Sequence, residues 1–218
     1  MSEIDELEGT TVSDVAAARL LRGVLVLVVL AALVAAFIGA ASWAVAAGDE
    51  EPPLGAVDIG YLQDMIDHHG QAIVISETYL ADQPDGPAAP YAREVIQYQE
   101  RDIDRMEAML GSVGFDRGVE DRVGMVWMGE PYPVGEMPGM QPPALVDELD
   151  AATGTAADLL FFDLMTDHHI GGVHMAEYAA DFAENPTVAQ LAADTAYNQA
   201  IEVVEYDTAR QRLGLPPR

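Results

Sequence analysis

The chain has 218 residues and a formal net charge of −27, since 37 acidic residues outnumber 10 basic ones, all of them arginine. The length allows one or two domains, and without a basic surface there is little to neutralise a phosphate backbone, which argues against nucleic-acid binding. Cysteine is absent, which excludes disulfides, thiolate metal sites and a cysteine nucleophile. The 10 methionines leave thioether sulfur available as a soft ligand.

The N-terminal part of the chain predicts a short tail followed by a membrane anchor. Residues 1–18 are polar and acidic, which is typical of a flexible tail. The segment from Gly23 to Gly48 carries no charged residue, and it is longer than the roughly 20 residues that a helix needs to cross a bilayer. We therefore expect a transmembrane anchor over residues 19–48.

The charges that flank this segment predict its orientation. Arg19 and Arg22 precede it, and acidic residues follow it, so residues 1–18 are expected in the cytoplasm and the rest outside, as in a single-pass cell-membrane protein. The sequence Ala44–Ala46 resembles a cleavage site. The alternative is therefore a signal peptide over residues 1–47, after whose removal the protein would be secreted.

Helical periodicity dominates the chain after a proline-containing linker at residues 49–56. Proline and glycine interrupt this periodicity at residues 83–87 and 185–186, and residues 112–143 are too rich in both to form one regular element. Helices are predicted at Val57–Leu80, Pro90–Gly111, Ala144–Ala152, Ala156–Ala183 and Thr187–Leu213.

The first and third long helices carry the same motif, 100 positions apart. Asp58-x-x-Tyr61-x-x-x-Met65-x-x-His68-His69 recurs as Asp158-x-x-Phe161-x-x-x-Met165-x-x-His168-His169. The second and fourth share Gln99-x-x-Asp102 and Gln199-x-x-Glu202 at the same offset. Duplication of a helical hairpin explains both, so we expect an all-α antiparallel four-helix bundle over residues 57–213. Its parts are repeat 1 at 57–111, a crossover at 112–155 and repeat 2 at 156–213.

The repeated motif places side chains that bind metals on one buried helix face. At about 100° per residue, the aspartate, the aromatic residue, the methionine and both histidines of each copy share a stripe. Neutral imidazole binds copper, zinc, nickel and iron, and thioether sulfur favours Cu(I). The alternative is a polar core whose histidines are only hydrogen-bonded, although each buried imidazole then needs partners for two ring nitrogens.

Several polar residues are candidates for orienting the imidazole rings. A carboxylate that accepts a hydrogen bond from a ring N–H fixes the tautomer and the ring direction. Such carboxylates are Asp58, Asp67, Asp158 and Asp167. Further candidates near the inward faces are Gln99, Gln199, Asp102 and Glu202, with solvated helix flanks as the alternative for the two acids.

Two further features of the sequence concern possible ligands. His174 lies on the opposite side of its helix and is predicted to be a surface residue. The methionines of the crossover are predicted to pack over the bundle, with a thioether-rich arm that captures soft metal ions as the alternative. They are Met125, Met128, Met137 and Met140.

Signatures of the common enzyme classes are missing. The chain has no G-x-S-x-G, P-loop, dinucleotide-binding or H-E-x-x-H motif. A ferritin-type di-iron oxidase needs Glu-x-x-His pairs, whereas the residues three positions before the histidines are Met65, Ile66, Met165 and Thr166. We therefore predict no catalytic residue, and the sequence favours a protein without enzyme activity over an enzyme.

The duplicated motif, the Gln-x-x-acid returns and the Met-Pro-Gly-Met segment of the crossover resemble the domain of unknown function 305 family over about residues 57–213. The resemblance implies a ferritin-like four-helix bundle, usually exported or membrane-anchored, with copper binding and copper tolerance in some relatives. The chain departs from the family pattern at Ile75, where the second copy has Met175, so the first site is expected to have one thioether fewer. Carried over residue by residue, the resemblance implies the ligands Met65, His68, His69, Met165, His168, His169 and Met175.

Three functional hypotheses follow from these observations. The first is an extracytoplasmic, membrane-anchored protein that buffers or transfers a metal ion, with copper as Cu(I) favoured and zinc as the alternative. The second is a structural or protein-interaction module with a polar histidine core and no metal. The third is a metal-dependent oxidoreductase, which no sequence feature requires.

Overall fold

The computed structural model describes residues 29–35, 52–119, 121–216 and 218. The chain divides into two units, Met1–Glu50 and Glu51–Arg218. In the first unit, residues 29–35 are helical and their apolar side chains are exposed. The remainder of the predicted anchor and tail lies outside the described residues. Within the described part of the chain, no helix is both long enough and apolar enough to cross a membrane.

The described part of the second unit contains four long helices and a short one. Proline and glycine end or precede most of them, as the sequence predicts, and each boundary lies within two residues of its predicted position. The helices are α1 (Ala56–Asp82), α2 (Ala89–Ser112), α3 (Pro143–Ala151), α4 (Thr155–Phe182) and α5 (Pro186–Arg212).

The long helices form two hairpins that pack on each other. Helix α1 packs on α2, α4 packs on α5, and α1 meets α4 across the two repeats. Short turns of six and three residues join the partners, so each hairpin is antiparallel. The predicted all-α bundle of two helical hairpins is therefore confirmed for this unit.

The crossover between the hairpins is irregular, as its glycine and proline content predicts. A minimal antiparallel pair, β1 (Val123–Gly124) and β2 (Tyr132–Pro133), alternates with 3₁₀ turns at Val126–Met128 and Val134–Glu136. The buried carboxylate of Asp64 on α1 anchors this segment. It accepts hydrogen bonds from the Met125 amide at 2.6 Å and from the Trp127 indole at 2.7 Å.

The aspartates that open the two motifs tie one hairpin to the other. Asp58 accepts a hydrogen bond from the backbone N–H of Asn185, which precedes α5, at 3.2 Å. Asp158 accepts hydrogen bonds from the Tyr79 hydroxyl and the backbone N–H of Ala88, which precedes α2. Helix N-termini expose unpaired N–H groups and a partial positive charge, so buried carboxylates stabilise both junctions. The sequence predicts that these two aspartates orient histidines, whereas the structure shows them bound to backbone N–H groups at helix N-termini.

Methionines fill much of the core at one end of the bundle. Met65, Met175 and the crossover residues Met125 and Met137 belong to one cluster of buried side chains and are at most 1% exposed. The other crossover methionines, Met128 and Met140, pack against the same cluster. These contacts agree with the prediction that the crossover methionines pack over the bundle.

The crossover approaches α4 most closely at Gly171. A methyl group at this position would overlap the Pro138 carbonyl group and the Gly139 backbone nitrogen. Gly139 itself has a φ of +87°, a left-handed conformation that favours glycine. Both glycines are needed for the main chain of the crossover to lie directly on the helix.

We expect Gly171→Ala to destabilise the protein by roughly 1–3 kcal/mol, because the added methyl group must displace main-chain atoms. Urea unfolding of the purified full-length chain, followed by circular dichroism, measures the change. The matched control is Gly70→Ala in the middle of α1, where the nearest atom to an added Cβ is Nη2 of Arg117 at 3.9 Å. That variant should be neutral or up to about 1 kcal/mol more stable. Equal losses in the two variants would contradict this close approach.

Candidate metal centre

Helices α1 and α4 bring the four histidines of the two motifs together inside the bundle. Each of the four is at most 1% exposed. The rings of His68 and His168, which occupy equivalent positions in the repeats, lie 3.9 Å apart between centroids, and the rings of His168 and His169 lie 6.0 Å apart. The histidines of both repeats therefore share one interior.

Backbone carbonyl groups fix the tautomer of the two central histidines. His68 donates from Nε2 to the carbonyl oxygen of Pro138 at 3.1 Å, and His168 donates from Nε2 to the carbonyl oxygen of His68 at 2.9 Å. A carbonyl oxygen only accepts, so the proton must lie on Nε2 in both rings. In a neutral ring this leaves the lone pair on Nδ1, which is the form that binds a metal ion.

A carboxylate on α5 orients the third ring. Nε2 of His169 lies 2.6 Å from Oε2 of Glu202, so the ring N–H donates to the carboxylate and Nδ1 again carries the lone pair. Glu202 is among the acids that the sequence places near the inward faces. Its counterpart in the first repeat is Asp102, which has no hydrogen bond to His69 in the described structure.

All four Nδ1 atoms are buried without a hydrogen-bond partner among the described residues. A buried polar atom without a partner costs about 1–3 kcal/mol, and native structures hold few of them. Here four such atoms, on His68, His69, His168 and His169, are gathered in one interior. The donor set therefore fits a ligand that accepts nitrogen lone pairs, as a metal ion does.

Burial keeps three of these imidazoles neutral, those of His68, His69 and His168. It lowers the pKa of His68 to about 4 and that of His69 to about 3, from an ordinary value of 6.5. Burial also holds the pKa of His168 well below its usual range, and the neighbouring imidazoles act in the same direction. Near neutral pH these rings therefore keep free lone pairs, and a metal ion would not have to displace protons from them.

The methionines of the motifs belong to two separate buried clusters, one of which combines residues of both repeats. Met65 from the first repeat and Met175 from the second share one buried cluster, whereas Met165 belongs to the other cluster, together with Ile75. The thioether that the first motif lacks is therefore missing from the cluster of Met165 and not from that of Met65.

The described residues contain no group of three or more His, Cys, Asp or Glu side chains placed to hold a metal ion.

The remaining sequence candidates have other partners. Asp67 pairs with Arg117 at 2.7 Å, and Asp167 pairs with Arg218. Neither carboxylate therefore contacts a ring, in contrast to the orienting role considered for them. His174 has a half-exposed side chain and lies 3.3 Å from a carboxylate oxygen of Glu130, which agrees with its predicted place on the surface.

Sequence reasoning missed the acceptors that matter most for the central rings. These acceptors are the main-chain oxygens of Pro138 and His68, and a main-chain atom leaves no residue-type pattern. The Met-Pro-Gly-Met segment was the available signal, because a glycine next to a proline marks a place where main chain approaches another element closely.

Solved structures share this helical bundle. A DUF305 protein of Streptomyces coelicolor, described as secreted, is 27% identical, with 74% of this chain and 96% of that chain covered and a TM-score of 0.67. A DUF305 fragment from Deinococcus radiodurans is also 27% identical, with coverages of 74% and 99% and a TM-score of 0.63. CopM in a Cu(I)-bound form is 24% identical, with coverages of 72% and 96% and a TM-score of 0.53. This last likeness shows the fold alone.

The chain matches no curated protein. The family model described as "Domain of unknown function (DUF305)" matches residues 58–209, which include both motifs, both hairpins and the crossover between them. The chain therefore belongs to the DUF305 family.

Proposed function

We propose that this protein is an extracytoplasmic copper-binding protein that buffers or transfers Cu(I) through imidazole and thioether ligands inside its helical bundle. The observation that carries the proposal is the set of four buried Nδ1 atoms without partners. Three of the four rings have their other nitrogen occupied by an acceptor. Such an acceptor fixes the tautomer and makes the ring a better ligand.

The proposed ligands are the four buried histidines together with the methionines of the motif. Met65 and Met175 lie in one buried cluster, and Met165 lies in the other. Thioether sulfur is a soft ligand that favours Cu(I), and the chain has no cysteine that would compete for it. This combination supports Cu(I) over zinc, which prefers nitrogen, thiolate and carboxylate ligands.

One solved structure with the same fold supports the choice of copper. CopM has been solved in Cu(I)-bound, Cu(II)-bound and Ag-bound forms. Ag(I), like Cu(I), is a soft monovalent cation, so a related bundle with both ions bound is in keeping with soft ligands in this chain. Zinc binding, or a purely structural histidine core, are the outcomes that would replace the proposal.

We also propose that residues 19–48 anchor the domain of residues 57–213 on the outer side of the cell membrane. The uncharged stretch at Gly23–Gly48 and the exposed apolar side chains of residues 29–35 support an environment of lipid. The positive-inside rule supports the orientation. The secreted DUF305 relative keeps cleavage after residue 47 as the alternative.

Intact-mass analysis of the protein from membrane and culture-supernatant fractions separates these two forms. An anchored protein should be found in the membrane fraction with residues 1–47 present. A soluble form that begins at about residue 48 would contradict the anchor and leave the copper site unaffected.

The combined variant His168→Ala and His169→Ala should weaken Cu(I) binding by roughly 100-fold or more, because two ligands, each with an oriented lone pair, are lost. The measurement is an anaerobic titration of the detergent-solubilised full-length chain against a competing Cu(I) chelator, with Zn(II) titrated in parallel. Circular dichroism shows whether the variant remains helical.

His174→Ala is the matched control, since it removes a histidine from the same helix at an exposed position. It should bind Cu(I) as the wild type does. An unchanged affinity and stoichiometry in the double variant would show that the buried histidines are not the copper ligands.

Acid should destabilise the metal-free protein through the buried rings of His68 and His69. Their folded-state pKa lies below the unfolded value of 6.5, so the unfolded state binds more protons below that pH. Stability contributed by neutral rings is full above about pH 6.5 and falls as the pH drops towards about 4 for His68 and about 3 for His69. At pH 5, protonation should cost about 2 kcal/mol for His69.

Urea unfolding of the chelator-treated protein at pH 7.5 and pH 5 measures this loss. His69→Gln removes the titrating ring and should reduce the pH dependence by about 2 kcal/mol relative to the wild type. His174→Gln, at the exposed position, should leave the pH dependence unchanged. Identical pH profiles for wild type and His69→Gln would mean that the ring is not held neutral by burial.

A further inference from the structure

One side of the bundle, between α2 and α5, is open as a cleft of about 330 Å³. Four of its lining residues are acidic, Glu94 and Asp102 on α2 and Glu202 and Glu205 on α5. Arg101 is the basic residue in the described lining, and its side chain is 65% exposed. Asp102 lies 3.5 Å from Arg101, and Glu202 accepts a hydrogen bond from His169, whereas Glu94 and Glu205 have no ion-pair partner among the described residues. The cleft therefore keeps a net negative charge.

The carboxylates of the cleft interact with one another across the gap between the helices. Burial, followed by the charges of Glu202 and Glu205, raises the pKa of Glu94. Burial also raises the pKa of Asp102, and the charge of Glu202 adds to this effect while Arg101 opposes it. Acids on opposite helices are thus close enough to repel each other, and a bound cation would relieve that repulsion.

Two buried glutamine side chains at the base of the cleft have unpartnered polar atoms. Gln99 is 4% exposed and Gln199 is 3% exposed, and the amide oxygen of each has no hydrogen-bond partner among the described residues. Both side chains line the cleft. An amide oxygen is a good ligand for a hard cation, so these atoms are an independent sign of a ligand beyond the acidic charge.

The duplication places equivalent residues on both walls of the cleft. Gln99 and Asp102 on α2 are the equivalents of Gln199 and Glu202 on α5, at the 100-residue offset of the repeats. Each helix therefore contributes one glutamine and one acid of the repeated pattern to the same space. His69, from α1, is the motif histidine among the lining residues.

We propose that this cleft is a second cation site, which binds a hydrated hard divalent cation of the Mn(II), Ca(II) or Mg(II) class through oxygen donors. The donors are the carboxylates of Asp102 and Glu202 and the amide oxygens of Gln99 and Gln199, with Glu94 at the rim. Oxygen donors select hard cations, whereas the thioethers of the interior select soft ones. The site thus goes beyond the proposed copper function, and Glu202 takes part in both, as the acceptor of the His169 ring N–H and as a ligand of the cleft.

The cation at this site keeps part of its water shell. No three carboxylate or imidazole groups of the described chain are placed to enclose an ion directly. A cation that retains several waters is held by fewer direct ligands and by hydrogen bonds from its waters to surrounding oxygens. The electronegative walls of the cleft supply such acceptors.

The test is a Mn(II) titration of the detergent-solubilised full-length chain at about 0.15 M salt, near physiological ionic strength. Electron paramagnetic resonance measures the free Mn(II). We expect a saturable site in the wild type and an affinity lowered by roughly tenfold or more in the combined variant Glu94→Gln and Asp102→Asn, because two negative charges beside the cation are lost. Circular dichroism shows whether that variant is folded.

Asp104→Asn with Glu107→Gln is the matched control, because it removes one aspartate and one glutamate charge from exposed positions of the same helix outside the cleft. It should bind Mn(II) as the wild type does. An equal loss in both double variants would show that only the overall charge attracts the ion and would overturn the proposal. So would the lack of a saturable site in the wild type.

Cu(I) titrations of the same proteins separate this site from the copper site. Glu94→Gln with Asp102→Asn should keep the wild-type Cu(I) affinity, while His68→Gln with His168→Gln should lose Cu(I) and keep Mn(II). If Mn(II) binding is lost together with Cu(I) in the histidine variant, the cleft is not an independent site. If the wild type binds Mn(II) but no Cu(I), the copper proposal fails and the cleft site stands.

Discussion

Burial of four imidazoles at the contact between α1 and α4 is the constraint on which the rest of the structure depends. Each ring has two nitrogens that need partners away from water. The protein supplies an acceptor for Nε2 of three rings, from the main chain of Pro138 and His68 and from the Glu202 carboxylate. The Pro138 carbonyl group that accepts from His68 lies directly on α4, and this close approach requires glycine at position 171. The hydrogen bond that His68 donates to Pro138 is thus linked to the course of the crossover and to the glycine at position 171 of α4.

Duplication gave the bundle two equivalent halves, and small substitutions have made them different. Glu202 reaches His169, whereas the equivalent Asp102 is one methylene shorter and has no hydrogen bond to His69 in the described structure. His69 instead lines the cleft between α2 and α5. In the second cluster, Ile75 takes the place that a thioether would have. The second repeat thus closes around its histidine, and the first leaves its histidine next to an open, acidic surface.

The sequence predicts the helices well because their limits depend on local features. Proline and glycine end them, and apolar periodicity marks the buried face, so boundaries agree within two residues. Partners far apart in the chain were not predictable in the same way. Asp58 and Asp158 lie on the predicted histidine face, yet each binds the N-terminus of a helix in the other repeat. Choosing between Asp67 and Glu202 as a histidine partner required the position of Arg117, which lies in an irregular loop.

The distribution of charge bears on the proposal that this bundle binds two kinds of cation at separate places. A net charge of −27 raises the local concentration of every cation, so the outer surface gives attraction without selection. Selection between cations has to come from the type of ligand atom at each site. In the interior, burial lowers the pKa of His68 and keeps its ring neutral, and the Glu202 carboxylate already accepts a hydrogen bond from His169. In the cleft, amide and carboxylate oxygens meet without sulfur. At the proposed sites an ion would shed its water to reach the buried imidazoles and keep part of it in the open cleft, so the cost of dehydration favours the weakly hydrated soft ion inside and the strongly hydrated hard ion outside.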